Sequence, residues 1–195
     1  MKNIVFDLGG VVFARNPQHC PPGLTEFFAF ISAPEMPVFW NEYDRGTVTM
    51  EQVVQALCDF HGCSRSVAEA NMQAAIALQE EIACTRSLIA DLKAAGYSLY
   101  VLSNMAQEFI DFLRTMGVYA LFDGDVVSCE EHTVKPERRI FEILLSRYRL
   151  APADTLFIDD RPANIATGAA LGLATFLFDA HHPDESCARL RRLLL

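Results

Sequence analysis

Four groups of polar residues in this 195-residue sequence follow short apolar runs, and their side chains are of types that bind metal ions and phosphate. In chain order they are Asp7 with Gly9 and Gly10, Ser103 with Asn104, Lys135 before a proline, and Asp159 with Asp160. Each group alone has an ordinary structural explanation, such as a turn, a helix cap or a surface charge. The acidic pair is the hardest to explain in this way, because adjacent carboxylates at a buried strand end repel each other unless a cation or a donor compensates.

Taken together, these side chains suit the transfer of a phosphoryl group. Carboxylate and carbonyl oxygens around one point are the ligands that Mg²⁺ prefers. A lysine with hydroxyl and amide donors would stabilise a phosphoryl group, whose equatorial oxygens carry negative charge. A carboxylate beside the metal would be available as a nucleophile. The residue types therefore predict phosphoryl transfer through an acyl phosphate, provided that the fold brings the four groups together.

The pattern of the surrounding elements indicates how the groups could meet. Short apolar or β-branched runs predict strands over 3–7, 98–103, 125–128, 155–159 and 174–178. Helical patterns alternate with them, over 85–95, 107–116, 137–148 and 162–172. This alternation predicts a doubly wound α/β fold with a parallel sheet. Because ligands bind at the carboxyl ends of parallel strands, the four polar groups should lie at one edge of the sheet.

The segment 16–83 interrupts this alternation. It contains no convincing strand, and apolar residues such as Val53 and Leu57 follow a helical spacing. We interpret the segment as a small all-helical cap inserted after the first strand. The α/β core is then discontinuous and consists of 1–15 and 84–195.

Composition and charge exclude several other classes of protein. The chain has 16 Lys and Arg against 25 Asp and Glu, a formal charge of -9, whereas nucleic-acid binding needs clustered basic residues. No apolar run approaches the roughly 18 residues of a membrane span, and the N-terminus lacks a signal-peptide core. The six cysteines form no CxxC pair. We therefore expect reduced thiols, a cytoplasmic protein, and neither a nucleic-acid nor a membrane partner.

The same residues carry a resemblance to a known superfamily. Four runs resemble, in order and spacing, the motifs of the haloacid dehalogenase-like (HAD) hydrolases: FDLGG from Phe6, LSN from Leu102, KPE from Lys135 and FIDD from Phe157. The inserted segment resembles the small helical cap of that superfamily. Inside it, the run DRGTVT from Asp44 is similar to the cap of the bacterial α-glucose-1-phosphate phosphatases. The resemblance spans essentially the whole chain and implies a Rossmann-like core.

The resemblance also implies a metal and a nucleophile. Asp7 would attack phosphorus in line and form an aspartyl-phosphate that water then hydrolyses. Mg²⁺ would be held by the carboxylate of Asp7, the backbone carbonyl of Gly9 and the carboxylate of Asp160. Asp159 would lie just behind these ligands or bind the metal weakly.

The remaining motif residues would contact the substrate. Ser103 would donate its hydroxyl and Asn104 an amide to the transferring phosphoryl group. Lys135 would neutralise charge on both Asp7 and the phosphate. The expected partner is a small phosphorylated metabolite, such as a hexose 1-phosphate, and the chain is expected to be a monomer or a weak homodimer.

The sequence departs from the superfamily pattern at Gly9. Most phosphatases of the superfamily have an aspartate there, which protonates the leaving group and activates water. General acid catalysis contributes about 10²–10⁴-fold to a rate, so that contribution must be lost or supplied elsewhere. A substrate with an acidic leaving oxygen, such as an anomeric sugar phosphate, is one solution, and His132 is another candidate for the missing acid.

Two alternative functions stay open from the sequence. The 2-haloacid dehalogenases of the superfamily also lack this aspartate and need no metal, although Asp159 and Asp160 make more sense beside a cation. A catalytically weak protein, in which the cap and core form a binding module, is the other alternative. It would explain the glycine at position 9, but not why acidic and basic residues stand where metal and phosphate need them.

Overall fold

The computed structural model describes residues 2–33 and 35–195. Its strands are β1 (Asn3–Phe6), β2 (Phe13–Arg15), β3 (Gln79–Glu81), β4 (Ser98–Ser103), β5 (Gly124–Val127), β6 (Thr155–Asp159) and β7 (Ala174–Leu177). Its α-helices are α1 (Leu24–Phe27), α2 (Val38–Asp44), α3 (Met50–His61), α4 (Arg65–Ala77), α5 (Ala83–Ala94), α6 (Gln107–Leu113), α7 (Ser128–Glu131), α8 (Arg138–Arg147), α9 (Pro162–Ala170) and α10 (Pro183–Leu194). None of the helices in this described part is long and apolar enough to cross a membrane.

Five strands form one parallel sheet in the order β5-β4-β1-β6-β7. The central strand, β1, pairs in parallel with both β4 and β6. The chain runs from β1 outward to β4 and β5, and then returns to the other side of β1 with β6 and β7. In open α/β sheets, the carboxyl edge at such a reversal is where ligands bind. The predicted doubly wound α/β fold is confirmed.

Alternate residues of β1 are buried on opposite faces of the sheet. Ile4 and Phe6 pack in one apolar cluster together with Leu88 of α5, whereas Val5 packs in a second cluster with Ile140 of α8. All five side chains are fully buried. A strand that is covered on both faces needs consecutive apolar residues, which explains the unbroken run at the N-terminus. The packing fixes the backbone that leads into the site.

Two strands lie outside the predicted set. The predicted strands over 98–103 and 155–159 coincide with β4 and β6; β1 and β7 end one residue earlier than predicted, and β5 begins and ends one residue earlier. The expectation that 16–83 contains no strand is wrong, because β3 lies there and pairs antiparallel with β2. Both strands are three residues long, and the half-buried Gln-Glu-Glu sequence of β3 has neither apolar alternation nor high strand propensity.

The β2-β3 ribbon is where the chain leaves the sheet and returns to it. Between the two strands, α1 to α4 pack around an apolar cluster that also includes Ala106 and Phe109 at the start of α6. Its largest buried members include Leu24, Phe28, Trp40, Tyr43, Leu57 and Met72. Tyr43 also donates a hydrogen bond from its hydroxyl to Glu108 of α6, at 2.6 Å. We retain 16–83 as the proposed boundaries of the cap.

The end of α2 packs against the α/β core. Arg45, the residue after the helix, forms a bidentate ion pair with Glu137. Its Nη2 donates to Oε1 at 2.7 Å and its Nη1 to Oε2 at 3.1 Å. Gly46 has a φ of +75°, and a Cβ at this position would overlap the backbone of Cys129. This close approach of two backbones therefore requires glycine.

We expect Gly46→Ala to lower the free energy of unfolding more than Gly62→Ala does. Both positions have positive φ, which costs an L-residue about 1–2 kcal/mol. A Cβ at Gly62 meets nothing within 4 Å, whereas one at Gly46 adds a steric clash worth about 1–3 kcal/mol. Urea denaturation of the two variants and the wild type measures the difference. Equal losses of unfolding free energy would show that the backbone at position 46 moves away from Cys129 without cost.

Candidate active site

The carboxyl ends of three adjacent strands bring the predicted site residues together. Asp7 follows β1 directly, Ser103 is the last residue of β4, and Asp159 is the last residue of β6. The backbone N–H of Asp7 donates to the carbonyl of Ile158 at 2.9 Å, which continues the pairing of β1 with β6. The three side chains are therefore positioned by the sheet itself rather than by a flexible loop.

The Asp7 carboxylate is held through one oxygen. Its Oδ1 accepts hydrogen bonds from the backbone N–H of Leu8 at 2.7 Å and the hydroxyl of Ser103 at 3.0 Å, and it lies 2.9 Å from Nζ of Lys135. Burial raises the pKa of Asp7 to about 7; the charge of Lys135 opposes this shift and that of Asp159 adds to it. A carboxylate with such a pKa is strongly destabilised by its surroundings.

Lys135 lies at the centre of the site and is almost completely buried. Its ammonium group lies 2.6 Å from Oδ2 of Asp159 and 2.9 Å from Oδ1 of Asp7, and it donates to the carbonyl of Leu102 at 2.8 Å. Burial alone would lower the pKa of Lys135, but the charges of Asp159 and Asp7 raise it above its ordinary value. The lysine therefore stays protonated and neutralises part of the charge of both carboxylates.

Asn104 lies one step behind this lysine. Its Oδ1 accepts from the backbone N–H of Lys135 at 2.6 Å, and its Nδ2 donates to the carbonyl of Lys135 at 2.8 Å. The carboxamide thus pairs with both backbone groups of Lys135 and fixes the position of the lysine. The resemblance implied that the Asn104 amide contacts the phosphoryl group; the observed partners give it a positioning role, and direct contact with substrate stays a prediction.

Asp159 is fully buried, and both of its oxygens accept hydrogen bonds. Besides the ion pair of Oδ2 with Lys135, Nδ2 of Asn164 donates to both oxygens at 3.0 Å, and the backbone N–H of Arg161 donates to Oδ1 at 2.8 Å. These donors compensate the charge of Asp159 without a metal. These contacts therefore agree better with the predicted position of Asp159 behind the metal ligands than with direct binding of the metal by Asp159.

The sequence interpretation missed Arg161 and Asn164. Both follow the acidic pair within one helical turn, at the start of α9. The repulsion between Asp159 and Asp160 already called for a nearby donor, so a search for donors in the next turn would have found them. Asp44, the last residue of α2, begins the DRGTVT run, but no role was predicted for its side chain.

The acidic residues at this edge fit a divalent cation. Oxygens of Asp7, Asp159 and Asp160 lie within 4.8 Å of one another. Burial raises the pKa of Asp160, and the charge of Asp159 raises it further. Because the ammonium of Lys135 offsets only part of this charge, the carboxylates of Asp7 and Asp160 leave negative charge that a hard cation would offset. Oxygen donors of this kind suit Mg²⁺.

The backbone between the strand and these carboxylates is made by two glycines. A Cβ on Gly10, which has a φ of +73°, would lie 2.9 Å from Oδ2 of Asp160, so the carboxylate packs directly on this glycine. A Cβ on Gly9 would meet nothing within 4 Å. Space therefore exists for a larger side chain at position 9, and binding of the metal by the Gly9 carbonyl stays a prediction.

The sheet is parallel and doubly wound, and a buried carboxylate–lysine set lies at the end of its central strand. A helical insertion follows that strand. This combination is typical of one class of α/β hydrolases. The chain belongs to the haloacid dehalogenase-like hydrolases, because the model of that family matches residues 1–172.

Two relatives named as phosphatases are similar to this chain, and a solved structure shares its fold. A sesquiterpene phosphatase, astK, from Aspergillus oryzae is 27% identical over 197 residues, which cover 99% of this chain and 96% of the relative. A D-ribitol-5-phosphate phosphatase from Bacteroides thetaiotaomicron is 26% identical over 192 residues, which cover 90% and 91%. The crystal structure of a HAD family enzyme from the same bacterium, an Asp-to-Ala mutant in complex with magnesium and inorganic phosphate, shares the fold with a TM-score of 0.74 and 22% identity, over 92% of this chain and 95% of that one.

We expect Lys135→Met to cost about 3–5 kcal/mol of unfolding free energy, because it leaves two buried carboxylates without their counter-charge. Lys93→Met is the matched control. Lys93 pairs with Asp123 at the surface, where an ion pair contributes about 0–1 kcal/mol. Urea denaturation measures both, and a loss for Lys135→Met as small as that of the control would mean that the carboxylates are not dependent on the lysine.

We expect stability to fall as the pH rises from about 5 to about 7 in the absence of divalent cations. Burial raises the folded-state pKa of Asp7 and of Asp44 to about 7, from an ordinary value of 3.8 for each. Between these values the folded protein binds protons that the unfolded chain releases. Each group therefore lowers the unfolding free energy by up to about 1.4 kcal/mol per pH unit.

The Asp7→Asn variant isolates the contribution of one group. Asparagine cannot titrate, so the variant should show a shallower fall over the same range, which urea denaturation at several pH values with a chelator measures. Parallel curves for the variant and the wild type would contradict the raised pKa of Asp7.

Proposed function

We propose that this hydrolase is a magnesium-dependent phosphatase that cleaves a small phosphate monoester through an aspartyl-phosphate on Asp7. The observation that carries the proposal is the environment of the Asp7 carboxylate. Ser103 and Lys135 both contact its Oδ1 and thereby fix its orientation. A carboxylate that is fixed through one oxygen can present the other to phosphorus, and the same hydroxyl and ammonium would lie beside the transferring oxygens.

The reaction would proceed in two steps. In the first, an oxygen of Asp7 bonds to phosphorus while the bond to the leaving oxygen breaks, and Lys135 and Ser103 stabilise the charge that spreads over the phosphoryl oxygens. In the second, water attacks phosphorus, inorganic phosphate leaves and the Asp7 carboxylate is restored. Asp7 and Ser103 lie at strand ends, and Lys135 is fixed by its contacts with Asp159 and Asn104, so little reorganisation would accompany either step.

Magnesium is part of the proposal, with Asp7, Asp160 and the carbonyl of Gly9 as its ligands. When bound, Mg²⁺ would supply Lewis-acid stabilisation of negative charge on the phosphoryl group. Support comes from the excess negative charge at this edge and from the fold shared with the enzyme crystallised with magnesium and phosphate. Asp159 contributes little to this excess charge, because Lys135 and the other hydrogen-bond donors already compensate its carboxylate.

The two alternative functions are less well supported by the contacts. A dehalogenase needs no metal. Its mechanism therefore does not account for the carboxylate of Asp160, whose pKa is raised and which lies beside Asp7 and the hydrogen-bonded Asp159. A pure binding module does not need a carboxylate held at a pKa of about 7 by burial. Perturbed carboxylates of this kind cluster at catalytic sites.

The substrate class has two candidates. The glycine at position 9 favours an acidic leaving oxygen, as in a hexose 1-phosphate, and the DRGTVT run resembles the glucose-1-phosphate phosphatases. The relative that is named for D-ribitol 5-phosphate favours instead an ester of an ordinary alcohol. We propose a small phosphorylated metabolite, with the sugar 1-phosphates as the first choice.

We expect Mg²⁺-dependent release of phosphate from an aryl phosphate, because that leaving group needs no acid. Asp7→Asn should lower kcat/KM by more than about a thousandfold, since it removes the nucleophile. Asp59→Asn, which removes an exposed carboxylate from α3, is the matched control and should keep the wild-type rate. Loss of all activity on adding a chelator, with recovery on adding Mg²⁺, checks the metal.

A panel of sugar 1-phosphates and sugar 6-phosphates then tests the substrate class. Faster hydrolysis of the 1-phosphates supports the choice above, whereas faster hydrolysis of the 6-phosphates keeps the phosphatase and overturns the choice. No release of phosphate from any ester, with folded wild-type protein, would favour the binding module.

A further inference from the structure

The half-buried arginines of the described chain differ in their partners. Three of them, Arg45, Arg114 and Arg191, form ion pairs with carboxylates. The other two, Arg15 of β2 and Arg161 directly before α9, form no ion pair within 4 Å among residues 2–33 and 35–195. A partly buried charge without a close counter-charge is costly, so these two guanidinium groups are candidates for binding an anion.

Arg161 follows Asp160 in the chain and connects the site to the helical segment. Its backbone N–H donates to Oδ1 of Asp159 at 2.8 Å. Its side chain donates from Nη2 to the backbone carbonyl of Ile31 at 2.5 Å, and the sulfur of Met36 lies 4.0 Å from the same nitrogen. The guanidinium group therefore lies where the site meets the helical segment. The charge of Arg161 also opposes the raised pKa of Asp160, which agrees with this position.

Arg15 reaches the same part of the helical segment from β2. Its guanidinium carbon lies 5.5 Å from the centre of the Phe28 ring, in a cation–π contact. Phe28 directly precedes a 3₁₀ turn, Ala29–Ser32, and its carbonyl accepts from the backbone N–H of Ile31 at 3.1 Å. A cation–π contact uses no hydrogen bond, so the N–H donors of Arg15 stay available for a ligand.

The two arginines approach this turn from segments that both begin at the site. The loop after Asp7 leads into β2, where the backbone N–H of Gly10 donates to the carbonyl of Phe13 at 2.9 Å. Arg161 continues the chain from Asp160, at the end of the neighbouring strand β6. The turn therefore bridges the segments that follow β1 and β6. The leaving part of a substrate whose phosphorus lies at Asp7 would extend toward this turn.

We propose that Arg15 and Arg161 bind a second anionic group, a carboxylate or a further phosphate, on the leaving part of the substrate. The proposal rests on the phosphatase function proposed above and narrows its substrate class to monoesters with an additional negative charge. Guanidinium groups suit this task, because their planar set of donors matches the oxygens of carboxylate and phosphate. In a chain with a formal charge of -9, a substrate with two acidic groups also needs local positive charge.

Sugar phosphates with the same leaving oxygen test the proposal on the wild-type enzyme. Glucuronic acid 1-phosphate carries a carboxylate at C6, glucose 1,6-bisphosphate carries a phosphate there, and glucose 1-phosphate carries neither. With Mg²⁺, kcat/KM for release of the 1-phosphate should be at least about tenfold higher for one of the charged esters than for the neutral one, mainly through a lower KM. The two charged esters distinguish a carboxylate from a phosphate as the bound group.

Variants of the two arginines test which residues read the charge. Arg161→Gln and Arg15→Gln should each lower kcat/KM for the preferred charged ester by about 10–100-fold and that for the neutral ester by less than about threefold. Arg161→Lys keeps the charge and should retain part of the preference. Arg139→Gln removes an exposed arginine from α8 and should change neither rate. Equal losses on both esters would indicate a structural role and overturn the proposal, as would an unchanged preference in either glutamine variant.

A pair of aryl phosphates separates a failure of this proposal from a failure of the proposed function. Phenyl phosphate and its 4-carboxy derivative repeat the comparison on the wild-type enzyme, without a sugar and without any variant. Hydrolysis of phenyl phosphate with no preference for a charged ester in either the sugar or the aryl set would overturn the anion site and keep the phosphatase. No hydrolysis of any ester by folded wild type would overturn both.

Discussion

The site depends on one buried ammonium group that lies between two carboxylates. Lys135 contacts Asp7 at the end of β1 and Asp159 at the end of β6, so it links these two neighbouring strands at their carboxyl edge. Its own backbone is fixed by Asn104, which follows β4. Three neighbouring strands thus determine the position of one charge. Since a buried charge is tolerated only with close partners, the sheet register and the ion set stabilise each other.

The charge balance around this ammonium group separates the three acidic residues by function. Asp159 is compensated by protein donors, with Asn164 hydrogen-bonded to both of its oxygens. Asp7 and Asp160 are less fully compensated, and their raised pKa values reflect burial together with the charge of Asp159. Negative charge thus remains where the metal and the reacting phosphorus are proposed to lie. Under the proposed function, a compensated acid behind two metal-binding ones would explain why adjacent aspartates occur at the end of β6.

Sequence reasoning could find the sheet and the motif residues, because both leave local signals. Consecutive apolar residues mark β4 and β6, and the residues that follow such runs point to the site. The strand β3 could not be found in this way, since it is polar and pairs only through its backbone. The partners of Asn104 were also inaccessible, because a resemblance supplies residue types and not hydrogen bonds.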